Sequence, residues 1–337
     1  MDFYNQSPFP FQSFATLAPS GVLHWVCVLK ATCSLDGNDN WSADGASIQY
    51  ADEYFGAPAL TSIRRPNDIA PFKPKSDVVF VDAVAHAPGN AELPTWPVTI
   101  DIGKINVRLN VVGPRHWSRN MFGAWRLSEA EPVTQVALIF ENAYGGLDGS
   151  GNAFEANPVG KGFRPPQSPK SESFSSAPQV FFSSDSVNSP THRQLPAGVG
   201  ATSPAWLPRR PLAGTYDQHW KNNVWPILPS DFHYRFHNVA PKHLQADDYF
   251  RGDETICLDG LADQGPVRRQ LPGGLNPGLL MPRSGGGGSW ARLNMDTLLI
   301  DMSARRIEAV FRACFIPPDH TQRAEIVPNV PQEVCHA

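Results

Sequence analysis

Thirty-three prolines and 27 glycines in 337 residues constrain this chain more than any motif in it. Proline inside a helix removes a backbone donor and clashes with the preceding turn, and glycine weakens helix interiors. Long helices therefore have little room to form, and short strands joined by ordered loops remain. The apolar pattern agrees. Leu23–Leu35 is dense in Val, Leu, Thr and Trp and runs into the turn residues Gly37-Asn38-Asp39-Asn40, and Ser47–Tyr50 reads as a second strand. Asp77–His86 and Val133–Glu141 are further strand-like runs. Val98–Ile102 and Ile105–Val112, separated by Gly103-Lys104, have the form of a hairpin. Near the other end, Met295–Asp301 and Arg306–Phe315 flank a turn at Met302–Arg305, which places both ends of the chain in one sheet. The expected fold is mainly β: packed antiparallel sheets, sandwich-like, with long Pro/Gly-rich loops and a few short helices.

Four stretches follow from these shifts in pattern. Residues 1–147 form an N-terminal β region, 148–203 a loop-rich segment with almost no apolar periodicity, 204–316 a C-terminal region sharing one core with the first, and 317–337 a tail. Short helices are expected around Tyr216–Asn222 and Pro241–Tyr249, and the run Arg283–Ser289 resembles a flexible linker or, equally, a hairpin connection before the last two strands. No fixed-period repeat is present. A hydrophobic fraction of 41% suffices for a substantial core.

Charge and cysteine content narrow the partners and the compartment. A formal net charge of −4 supplies no global positive field for nucleic acid, and Arg64-Arg65 and Arg209-Arg210 are too short to form a basic stripe. They read as surface or carboxylate-pairing arginines. The start lacks a basic leader, and the apolar run Val22–Leu29 is too short to cross a bilayer, so neither a signal peptide nor a membrane partner is expected. Five cysteines, Cys27, Cys33, Cys257, Cys314 and Cys335, form no C-x-x-C pair and read as the reduced thiols of a cytoplasmic protein, with Cys27 and Cys33 on one face of a strand.

Catalytic spacings are sparse. Gly160-Lys161-Gly162 lacks the upstream glycine and the Ser or Thr of a phosphate loop, and no nucleophile elbow or zincin motif occurs. Asp217, His219, Asp231, His233, His237 and His243 form the strongest cluster for metal or acid–base chemistry. Asp231–Phe236 reads as extended, however, which sets His233 and His237 about 13 Å apart. Glu141 with Asp101, or Asp217 with Asp231, offers a carboxylate pair for glycoside hydrolysis, against a plain reading as caps and Asx-turns. The expectation is no catalytic residue, no cofactor and no metal.

Between Trp206 and Phe236 the large aromatics Trp206, Trp220, Trp225 and Phe232 alternate with Pro208, Pro211, Pro226 and Pro229. Such a stretch suits either an irregular core or a recognition surface. Partner-binding candidates are Arg209, Arg210, Tyr216, Asp217, Trp220, Trp225, Asp231 and Phe232, expected to matter more than the glycine run Gly285–Gly288.

Several short segments, in order, carry a family resemblance. They are Lys73-Pro74-Lys75-Ser76-Asp77, Gly113-Pro114-Arg115-His116-Trp117, Glu141-Asn142-Ala143-Tyr144-Gly145-Gly146, Asn157–Phe163, Pro208-Arg209-Arg210, Ala213–Asp217, Leu228–Phe232, Asn238–Pro241, Arg251–Glu254 and Met295-Asp296-Thr297. Together they resemble a bacterial family first catalogued as a domain of unknown function, whose members accompany type VI secretion effectors and their spike and proline-alanine-alanine-arginine-repeat tip proteins. The resemblance spans about residue 15 to 316. It implies an adaptor or chaperone that stabilises a toxin in the cytoplasm and helps load it onto the spike, and it brings no catalytic residues. Tyr144 stands where the family more often has phenylalanine, and Phe311-Arg312 where it more often has Trp-Arg. The alternatives are a hydrolase acting on a cell-wall or carbohydrate substrate and a structural component of the secretion apparatus.

Overall fold

The computed structural model describes residues 1–331 apart from 38, 59, 166–173, 186, 188, 284–286 and 319–320. The fold is mainly β, with 40% strand and 7% helix, consistent with a sandwich-like arrangement. One five-stranded sheet has the order Phe11–Leu17, Leu23–Ser34, Arg306–Phe315, Asn294–Asp301, Asp77–Val81. Leu23–Ser34 and Arg306–Phe315 are antiparallel neighbours from Ser34 opposite Arg306 to Trp25 opposite Phe315, so the two ends of the sequence meet inside one sheet. Strand alternation sorts the side chains. Cys27, Leu29, Ala31 and Cys33 enter the main core, whereas Val26 and Val28 join Val310, with Phe14 and Ile48 against them, on the outer face. Asp77–Val81 is buried throughout and runs parallel to Thr297–Asp301, which explains why its apolar run does not alternate. Not every pairing is antiparallel, then.

A second five-stranded sheet has the order Val180–Phe182, Ile105–Val112, Thr95–Ile102, Thr255–Asp259, Val267–Gln270. Its central hairpin turns at Gly103-Lys104, where Gly103 has φ 56°, the positive region that tight hairpin turns need. Trp96, Val98, Ile100 and Ile102 alternate inward from this sheet. A third sheet joins Asp2–Asn5, Arg323–Val327, Gly278–Pro282 and Gly288–Arg292. One contiguous cluster of buried side chains takes residues from all three, among them Leu29, Ile100 and Ile326.

Several expected elements differ. Ser47–Tyr50 is not a strand; it crosses the outer face of the first sheet, where Ile48 packs. Asp77–His86 breaks at Asp82, φ 51°, into Asp77–Val81 and Val84–His86, and of Val133–Glu141 only Gln135–Ala137 is strand. The helix near Tyr216 is Gln218–Asn223, but Pro241–Tyr249 yields a single 3-10 turn, Lys242–Leu244. Asp231–Phe236 is not extended throughout: Tyr234–His237 is a 3-10 turn capped by His233, whose Nδ1 accepts from the Arg235 N–H at 3.1 Å. The 148–203 segment is stitched in through its backbone. Val199 accepts from Phe80 and donates to Leu138, contacts that need no side-chain period and so leave no periodic signal. Arg323–Val327, in the expected tail, pairs with two strands and buries Ala324 and Ile326.

Candidate interaction surface

The segment from Trp206 to Phe236 is an irregular excursion held at both ends. Trp206 is buried and packs edge-on against Phe140, with ring centroids 5.3 Å apart. Arg209 follows it inward: Nε donates to the Phe236 carbonyl at 3.0 Å, Nη1 donates to the Thr202 carbonyl, and the guanidinium lies over the Phe236 ring. Burial pushes this guanidinium down to about 10, with Asp77, Asp52 and Tyr54 opposing. Farther out, Asp231 accepts from the Thr215 N–H at 3.0 Å and from its hydroxyl at 2.7 Å, clamping the two limbs of the excursion together. Asp217 caps Gln218–Asn223 by accepting from the Trp220 N–H at 2.8 Å, and Trp220 Nε1 donates to the Ile227 carbonyl at 2.9 Å. These bonds give an excursion with little regular structure a fixed shape.

On this frame two aromatics stand in solvent, Trp225 at 68% exposure and Tyr216 at 51%. Tyr216 packs edge-on against half-buried Trp220, 4.6 Å between centroids, so its ring is steadied while its far side stays open. Phe232 is half-buried among Tyr234, Phe236 and His237. Arg210 is exposed and pairs with Glu155 at 2.8 Å. The arginine pair expected at the surface is thus split: Arg210 is there, and Arg209 is an internal brace. Of the other candidates, Asp217 and Asp231 are exposed but committed, Asp217 to its helix cap and Asp231 to Thr215, and Trp220 supports Tyr216. Sequence reasoning missed Val22 and Leu23, both exposed. Val22 follows Gly21 in the turn and Leu23 opens the strand after it; the missing Cβ of Gly21 would lie 3.3 Å from Ile227 Cδ1, so this turn adjoins the excursion. An apolar pair directly after Gly21 was the available signal, without its exposure. The glycine run Gly285–Gly288 lies partly outside the described residues.

The segments that carry the family resemblance mostly point inward. Lys73 Nζ donates to Asp77 at 3.0 Å and to the Thr297 hydroxyl at 2.8 Å. Asp77 also accepts from Asn238 Nδ2 at 3.0 Å and from the Val239 N–H at 2.8 Å. Ser76 Oγ donates to the Met295 carbonyl and accepts from the Phe250 N–H, and Arg312 Nε donates to Asp296 at 2.6 Å. Glu141 takes both the N–H and the hydroxyl of Ser62, and Glu254 caps the Arg251-Gly252 turn. Asn157 Nδ2 bridges the Phe140 and Tyr144 carbonyls; Gly145, φ 153°, passes so close that a Cβ there would meet the Asn157 carbonyl at 2.1 Å. Only glycine fits.

A second buried network lies beside the first sheet. Lys30 Nζ sits 2.9 Å from Asp68 and 2.7 Å from Glu308, while Arg65 pairs with Glu308 at 2.9 Å and with Asp301. Burial alone would raise the Glu308 carboxyl, but Lys30, Arg65 and Arg306 outweigh it and hold the group at about 2.

The groups considered for chemistry are separately engaged. Asp101 pairs with Arg108 at 2.7 Å, and Asn223 Nδ2 contacts the carbonyl of His219. Burial, with Arg312, Lys73 and Arg209 nearby, lowers His237 to about 3, and burial lowers His243 to about 4. Among the described residues no group of three or more His, Cys, Asp or Glu is placed to hold a metal ion, and no helix is long and apolar enough to cross a membrane. A groove of about 480 Å³ beside the Gly103-Lys104 turn is lined by His243, Asp247, Asp248 and Glu254. Asp247 pairs with Lys75 and Asp248 with Lys104.

Residues 20–312 match the model of a family described as an uncharacterized protein conserved in bacteria, DUF2169. No curated protein and no solved structure matches the chain.

Proposed function

The chain belongs to this bacterial family, DUF2169, and we propose that it is an adaptor or chaperone that binds a type VI secretion toxin in the cytoplasm and aids its loading onto the secretion spike. One observation carries the partner-binding part of this reading: Trp225 and Tyr216 are exposed on an excursion fixed by internal hydrogen bonds. Preordered aromatics lose little conformational freedom on docking, and Trp, Tyr and Arg are the residue types in which binding energy concentrates. Val22 and Leu23 are exposed beside the turn that adjoins Ile227, and Arg210 is exposed on the excursion itself. The toxin and the spike come from the family resemblance of the motif series.

The test is a titration of the purified chain against a type VI toxin produced with it. Trp225→Ala is expected to weaken binding at least tenfold, about 1.4 kcal/mol or more, with the melting temperature unchanged. Wild-type affinity in that variant, or no binding by the unaltered chain, would remove the surface or the function respectively.

A further inference from the structure

Phe11–Leu17 is an edge of the first five-stranded sheet and pairs on one side only, with Leu23–Leu29. Lys30 donates to the Pro10 carbonyl at 3.1 Å and Ala18 to the Val22 carbonyl at 3.0 Å. Antiparallel alternation then turns the backbone groups of Gln12, Phe14 and Thr16 toward the neighbour and those of Phe11, Ser13, Ala15 and Leu17 outward. Among the described residues none of these outward groups has a backbone partner. Gln12 Nε2 caps the Ser13 carbonyl at 2.8 Å, a side-chain contact that a pairing strand would displace.

Other sheet edges are blunted in familiar ways. Val267–Gln270 carries Arg268 and Arg269, Gly288–Arg292 ends on an arginine, and Asp2–Asn5 is short and begins on an aspartate. Val180–Phe182 is three residues, and Asp77–Val81 is buried, with the Phe80 N–H given to Val199. Phe11–Leu17 has seven residues, no charge, no proline and no break in register, and none of its residues is buried.

This strand is also chemically symmetric about its centre. Let a second copy run antiparallel along it so that the outward groups pair, Phe11 with Leu17 and Ser13 with Ala15. Phe14 then faces Phe14 of the second copy on the two-fold axis, and Gln12 faces Thr16. Apolar meets apolar, small meets small, uncharged polar meets uncharged polar, and two rings meet at the centre, where cross-strand pairs lie closest. We propose that two copies of this chain associate through Phe11–Leu17, joining their sheets into one continuous antiparallel sheet about a two-fold axis. This self-association is independent of any toxin.

Sedimentation equilibrium of the whole chain across micromolar concentrations tests it. A reversible dimer of 36.9 kDa subunits is expected. Ala15→Pro removes an outward donor without touching the inward ladder, and is expected to weaken dimerisation at least tenfold while the circular dichroism spectrum persists. Two double variants at half-buried positions on the Phe14 face, checked for an unchanged circular dichroism spectrum, probe the register. Gln12→Lys with Thr16→Lys sets like charges opposite one another and is expected to give a monomer, whereas Gln12→Lys with Thr16→Glu restores the dimer. A wild-type monomer at every concentration overturns the proposal and leaves the edge to an extended segment of another protein. A dimer indifferent to Ala15→Pro and to the charge pairs overturns it as well.

Discussion

The buried ionic network and the aromatic excursion invert each other's usual placement. Around Glu308 and Asp77, lysines, arginines and carboxylates lie inside the protein, each satisfied by several partners. Around Trp225, large aromatic side chains lie outside, on a loop shaped by hydrogen bonds between its own limbs. Charged groups are rarely buried unless paired, and large exposed aromatics on a fixed frame are a feature of binding surfaces. The contrast teaches that the polar motifs here serve architecture, while Trp225 and Tyr216 of the excursion are left in solvent.

Changes inside the network should have the largest effect on folding. Glu308→Ala leaves Lys30 and Arg65 buried with a partner missing, and is expected to cost about 3–5 kcal/mol in chemical denaturation. A loss no greater than that of an ordinary surface substitution would break the comparison. Arg209→Glu comes next: it places a carboxylate against the Thr202 and Phe236 carbonyls, and a loss of roughly 3 kcal/mol is expected.

Acid gives a graded effect. His237 and His243 sit at about 3 and about 4 in the folded chain against an ordinary value of 6.5. Below pH 6.5 the unfolded chain therefore binds protons that the folded chain refuses, and stability falls as pH falls. Glu308 adds to the loss from its ordinary 4.5 down to about 2. The melting temperature is expected to drop by about 5 °C or more between pH 7 and 4, and His243→Gln to remove part of that slope. Arg210→Glu should have the smallest effect on stability, within about 1 kcal/mol, because its pair with Glu155 is exposed. Paired with Arg209→Glu, it sharpens the difference between two adjacent arginines that the sequence presents as equivalent.

The long strands were legible because alternation and the Gly103-Lys104 turn are local signals, and the pairing of the two chain ends followed from the repeated strand–turn–strand form. Ser47–Tyr50 misled because an apolar residue that packs on the outside of a sheet leaves the same mark as one in a strand. Arg209 was illegible for a different reason: its burial depends on carbonyls of Thr202 and Phe236, and main-chain acceptors have no residue identity. The exposure of Trp225 was equally hidden, since an aromatic between prolines reads the same in a core and on a surface.

Leu23–Ser34 lies against Arg306–Phe315. In a growing polypeptide, that early strand leaves the ribosome long before its neighbour exists. Synthesis at about 5–20 residues per second leaves it waiting for tens of seconds, with the cysteine and leucine side chains of its core face uncovered. Sheet closure then becomes a late event governed by sequence-distant contacts, the kind that fold slowly. A chain stopped before residue 306 would never close, and would keep a sticky edge in the middle of what should have been its most protected sheet.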